Sequence, residues 1–102
     1  MDAYLIGTSC TKFGKFPTKS FRDLTRESYE DVLKDAGLAD GGQIANAWFA
    51  NCGMGTFGQR NIRGQVCFVP LVREGRFPER VPMINVEGGC ASASMAFHGA
   101  WK

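Results

Sequence analysis

Asn85-Val86-Glu87-Gly88-Gly89-Cys90-Ala91-Ser92-Ala93-Ser94 is the stretch on which the reading of this chain turns. It is entered from Val81–Val86 (Val-Pro-Met-Ile-Asn-Val), a short apolar run that predicts a strand. It leads into Ala91–Trp101, which reads as a helix rich in small residues and so expects neighbours on nearly all sides. Two glycines join strand to helix and put Cys90 at the helix's first turn. A thiol there feels the positive end of the helix dipole and unpaired backbone N–H groups, which favour the reactive thiolate. The same N–H groups can hold the oxyanion that forms when a thioester carbonyl is attacked. On spacing alone, a nucleophile and a buried structural cysteine compete evenly.

Working outward, Tyr4–Thr8 (Tyr-Leu-Ile-Gly-Thr) predicts a short buried strand, and 12–19 a loop marked by Gly14 and Pro17. The clearest helix follows. Ser20 is its N-cap, with Asp23 three residues on as a shortened capping box, and Gly37 its left-handed C-terminal cap. Phe21, Leu24, Ser28, Val32 and Ala36, flanked by Leu33, form its apolar side, so it is a packing element. Ala47–Cys52 predicts another strand.

Gly53-Met54-Gly55-Thr56-Phe57-Gly58 then matches Gly-x-Gly-x-x-Gly. A dinucleotide site is the weaker reading. The first βα turn lacks the motif, and no acidic residue follows a later strand at the required distance. A flexible strand-to-helix loop is preferred. A helix over about 61–74 follows, with Pro70 expected to kink or break it near Cys67. Arg60, Arg63, Arg73, Arg76 and Arg80 make this the most basic region, best read as a solvated face. The order strand, helix, strand, helix, strand, helix predicts an α/β layered domain with right-handed crossovers.

Composition excludes more than it selects. The 102 residues suffice for one small core, and 44% hydrophobic with 22% charged residues is ordinary globular content. Twelve basic and ten acidic residues give a net charge of +2, which supplies no basic footprint for nucleic acid or an anionic membrane. No apolar run approaches the ~18 residues of a membrane span. The beginning, Met1-Asp2-Ala3-Tyr4-Leu5-Ile6-Gly7, lacks the basic and apolar regions of a secretory signal. Four cysteines without CxxC spacing and a single histidine supply no metal site. Reduced thiols, most of them buried, and a cytoplasmic protein are expected, with a peroxisome or another organelle as the alternative.

Asn-Val-Glu-Gly-Gly-Cys-Ala-Ser-Ala-Ser-Met-Ala, from Asn85 onward, resembles the nucleophile motif of the thiolase superfamily. It looks closest to the branch of sterol-carrier-protein-linked and lipid-transfer-type thiolases. The early Ile-Gly-Thr run and Gly58-Gln59-Arg60-Asn61 agree, so the resemblance covers essentially the whole chain. Two features depart from it: Ala93 stands where the family usually has glycine, and Pro70 interrupts a helix. The resemblance implies the N-terminal portion of a layered α-β-α fold over residues 1–102. It implies a ping-pong acyltransferase in which Cys90 attacks an acyl-CoA thioester and its own N–H is a candidate oxyanion donor. Coenzyme A thioesters are then substrates, with no permanently bound cofactor. A homodimer is implied, with Val81–Val86 near the interface, and in some relatives a small partner protein.

The family's remaining acid and base groups are histidines and a second cysteine from its C-terminal half. His98 lies eight residues from Cys90, about 12 Å along a shared helix axis, beyond reach of direct proton transfer. The chain is therefore expected to be about a quarter of a larger enzyme and inactive alone. Three rivals stand beside the thiolase reading. They are a ketoacyl-synthase-type condensing enzyme, a retro-aldolase of steroid side-chain thioesters, and a non-catalytic lipid-binding or assembly module.

Overall fold

A computed structural model describes residues 2–102. In chain order it contains α1 (Phe21–Ala36), β1 (Ala47–Ala50), a 3-10 turn (Met54–Phe57), α2 (Arg63–Arg73), β2 (Met83–Val86) and α3 (Ser92–Trp101). This is an α/β arrangement, as expected. It divides into two compact units: the residues up to Gln43 with Cys67–Pro78, and Ile44–Val66 with Glu79–Lys102.

The first unit is built on α1. The Ser20 hydroxyl accepts the Asp23 N–H at 3.1 Å, and the Asp23 carboxylate accepts the Ser20 N–H at 2.8 Å. Two otherwise unpaired donors are thus satisfied reciprocally. At the other end Gly37 has φ +72°, and the N–H groups of Gly37 and Leu38 return to the carbonyls of Lys34 and Leu33. Gly75, at φ +74°, closes α2 the same way through bonds from Gly75 and Arg76 to Val72 and Leu71.

The buried centre of α1 is Tyr29 with Leu33. It lies one residue around from the predicted stripe, because a tyrosine can bury its ring and still bond its hydroxyl. The ring meets Phe68 and Phe77 edge-on at 5.5 and 5.7 Å, and those two stand 4.7 Å apart. Each such pair adds about 0.5–1.5 kcal/mol beyond area burial. The Tyr29 hydroxyl donates to the Arg76 carbonyl at 2.6 Å, and burial pushes its pKa up.

The second unit holds a parallel pair, β1 beside β2, in the register Ala47↔Met83 through Ala50↔Val86. Parallel strands need a crossover, supplied here by the 3-10 turn and α2. Gly64 brings the start of α2 onto the sheet, since a Cβ there would lie 2.7 Å from Phe49 Cβ. Asn85 fixes that contact: Oδ1 accepts the Gly64 N–H and Nδ2 donates to Gln65 Oε1, both at 2.7 Å. Gly99 does the same for α3, whose backbone lies against the Trp48 ring.

Several expectations are corrected. Tyr4–Thr8 joins no strand ladder, and Tyr4, Leu5 and Ile6 are 81, 71 and 67% exposed. The segment is fastened to α1 by polar bonds instead, from Thr8 N–H to Asp35 Oδ2 and from Ser9 Oγ to the Ser28 carbonyl. The helix α3 is not buried on all sides. Ser92 is buried and Ala96 and Gly99 half-buried, whereas Met95, Phe97 and Trp101 are exposed, because only its small-residue face meets β1 and β2. Pro70 lies inside α2 without ending it. The glycine-rich connection between β1 and α2 contains a 3-10 turn, in which Met54 is fully buried.

Candidate active site

Ligands of open parallel sheets bind beyond the carboxyl ends of the strands. Past β1 that position holds Asn51-Cys52-Gly53, and past β2 it holds Glu87-Gly88-Gly89-Cys90. Asn51 joins the two ends, since its N–H donates to the Val86 carbonyl at 3.4 Å. Its side chain accepts the Met54 N–H at 2.7 Å, and its carbonyl accepts Arg63 Nη1 at 2.5 Å.

Cys90 is an exposed free thiol. It lies one residue ahead of the α3 N-cap, Ala91, rather than within the first helical turn. The N-cap alanine carries no side-chain oxygen, so no side chain caps the start of α3. Cys90 therefore feels the α3 dipole from one position outside the helix, where the effect weakens.

The turn itself is closely specified. Gly89 has φ +60°, a conformation that costs little only for glycine. Gly88 and Gly89 carbonyls accept the N–H groups of Ala91 and Ser92 at 3.1 and 3.2 Å. The Gly89 N–H donates to Glu87 Oε2 at 2.5 Å. Ser92 is 6% exposed, and its hydroxyl accepts the Gly88 N–H at 3.0 Å and donates to the Gly89 carbonyl at 2.7 Å. Sequence reasoning saw the cysteine and its glycines but not the roles of Ser92, Glu87, Asn85 and Asn51. The one available signal was a serine two residues after a cysteine preceded by two glycines, where a hydroxyl can reach back to the turn.

The other predicted groups are not gathered here. His98 is exposed on α3, seven residues beyond the N-cap and roughly 10 Å along the axis. Of the cysteines only Cys67 is buried; Cys10 and Cys52 are exposed like Cys90, against the expectation that most are buried. Arg73 and Arg76 belong to the first unit, and Arg60, Arg63 and Arg80 to the second. Arg76 forms a two-pronged pair with Glu30 at 2.9 and 2.7 Å, which holds the Glu30 carboxyl below the usual carboxylate range. Among the described residues no three His, Cys, Asp or Glu side chains cluster as metal ligands, and no helix is long and apolar enough to cross a membrane.

No protein-family profile matches the chain. Among curated proteins it is similar to an acetyl-CoA acetyltransferase of Methanocaldococcus jannaschii, 34% identical over 100 residues. It is also similar to an acetyl-CoA acetyltransferase of Methanothermobacter thermautotrophicus, 31% identical over 96 residues. These matches take in 97 and 93% of this chain but only 24 and 23% of the relatives. The chain thus spans about a quarter of the length of the curated relatives it matches.

Proposed function

We propose that this chain is the nucleophile-bearing part of a thiolase-type acyltransferase acting on acyl-CoA, with Cys90 as the acyl-accepting residue. The observation that carries the reading is the exposed thiol on a bonded turn at the carboxyl end of β2, in a chain similar over nearly its whole length to two acetyl-CoA acetyltransferases. Those names favour acetyl transfer over the sterol-carrier-linked branch.

In the proposed step the Cys90 thiolate forms a bond to the thioester carbonyl carbon, and the carbonyl oxygen takes the negative charge. The Cys90 backbone N–H is the candidate donor to that oxyanion. Collapse breaks the bond to the coenzyme A sulfur, which leaves carrying the proton that Cys90 gave up. A second acyl-CoA or coenzyme A then takes the acyl group from the enzyme. The groups that move the proton, and any second subunit, belong to the same proposal and are sought outside the residues described here.

The test is made on the full-length protein that contains this chain. Peptide mass analysis after brief exposure to acetyl-CoA is expected to find an acetyl group on Cys90, lost in Cys90→Ala together with turnover. Turnover that survives Cys90→Ala would favour the retro-aldolase reading instead.

A further inference from the structure

Ser92 is buried at the start of α3, 6% exposed, and its hydroxyl is spent on the turn before Cys90. Its hydroxyl accepts the Gly88 N–H at 3.0 Å and donates to the Gly89 carbonyl at 2.7 Å. The Ser92 N–H reaches the same Gly89 carbonyl at 3.2 Å. Three bonds from one residue therefore hold the Glu87–Gly88 peptide by its N–H and the Gly89–Cys90 peptide by its carbonyl. The Gly89 carbonyl belongs to the peptide whose N–H is that of Cys90 itself. Fixing the carbonyl fixes the direction of that N–H, because the peptide is planar and the two groups point oppositely.

We propose that Ser92 is a positioning residue for the acyl-transfer step: its hydroxyl aims the Cys90 N–H at the oxyanion while leaving the sulfur exposed. This rests on the acyl-enzyme reading above. The chemistry separates two demands on Cys90. Alkylation by iodoacetamide needs only an accessible thiolate, with carbon–sulfur bond formation expelling iodide. Acylation by a thioester also needs the N–H aligned with a developing negative charge, where small misplacements are costly. Loss of the Ser92 hydroxyl removes the side-chain bonds to the Gly88 N–H and the Gly89 carbonyl, and leaves that carbonyl to the Ser92 N–H alone, next to a glycine whose backbone rotates easily. It should impair the second demand and spare the first.

The experiment compares the full-length protein with Ser92→Ala and Ser92→Thr, following Cys90 acetylation by acetyl-CoA and Cys90 alkylation by iodoacetamide in parallel. Ser92→Ala is expected to slow acetylation at least about tenfold with alkylation changed less than about threefold. Ser92→Thr, which keeps the hydroxyl, is expected to acetylate within about threefold of the unsubstituted protein. A Ser92→Ala protein that acetylates normally, or loses both reactions together, overturns the positioning role. If Ser92→Ala does not fold, Ser92→Thr decides: a tenfold loss of acetylation alone, about the size expected for misalignment, overturns it. An unsubstituted protein that alkylates but never acetylates at Cys90 instead overturns the acyl-enzyme reading itself.

Discussion

The two glycines before Cys90 have different physical reasons to be glycine. Gly89 sits at φ +60° with open space where a Cβ would be, so Gly89→Ala meets only backbone strain, about 1–2 kcal/mol. Gly88 has an ordinary φ, but a Cβ there would run into the Met95 sulfur, at the flexible part of a side chain. A double-mutant cycle in urea separates them: Met95→Ala should relieve the cost of Gly88→Ala and leave that of Gly89→Ala unchanged. Equal relief at both positions would mean that the turn is not built as described. At this scale the sequence was legible for Cys90, Ser20, Asp23 and Gly37, whose roles follow from local chemistry. Tyr29 and Arg76 were not legible. Each acts through a partner more than 40 residues away, Tyr29 on the Arg76 carbonyl and Arg76 on Glu30, and no local pattern encodes such a contact.

Among the elements, helix ends were easier to read than helix faces. The caps of α1 fall where Ser20 and Gly37 place them, and Ser20→Ala should cost about 1 kcal/mol in a denaturant titration. The small-residue helix α3 was read as needing cover all round, yet one face packs and Met95, Phe97 and Trp101 stay exposed. Composition reveals how closely a helix can be approached; it does not reveal which neighbours are present. Pro70 was expected to kink or break α2 near Cys67; the helix is not ended there and continues to Arg73. The close approach of α2 to the sheet depends on Gly64. Gly64→Ala should destabilise by about 1–3 kcal/mol through its clash with Phe49. A stability unchanged by that substitution would contradict the packing of α2 on β1.

For the whole molecule, an α/β alternation was legible, and the loss of its first strand was not, because a strand is defined by a partner as well as by its own residues. Charge sets a pH dependence in the first unit. Hydrogen bonds from Ser20 hold the Asp23 carboxyl below its ordinary range, and the bond from Arg76 does the same for Glu30. A carboxyl whose folded pKa is depressed contributes stability above its unfolded pKa and loses it as pH falls through the folded one. Stability should therefore fall as pH drops below about 4, and Glu30→Gln should make that fall shallower. An acid denaturation profile unchanged by Glu30→Gln would remove this pair from the account. Exposure gives a second check: in the 102-residue chain Trp101 is 62% exposed and Trp48 half-buried, so acrylamide should quench Trp101 the more strongly. The measurement that bears most directly on the central claim is the mass of the Cys90 peptide from the full-length protein after exposure to acetyl-CoA. An acetyl increment on Cys90 that coenzyme A removes is the predicted result. An unmodified Cys90 in a protein that still turns over acetyl-CoA would contradict it.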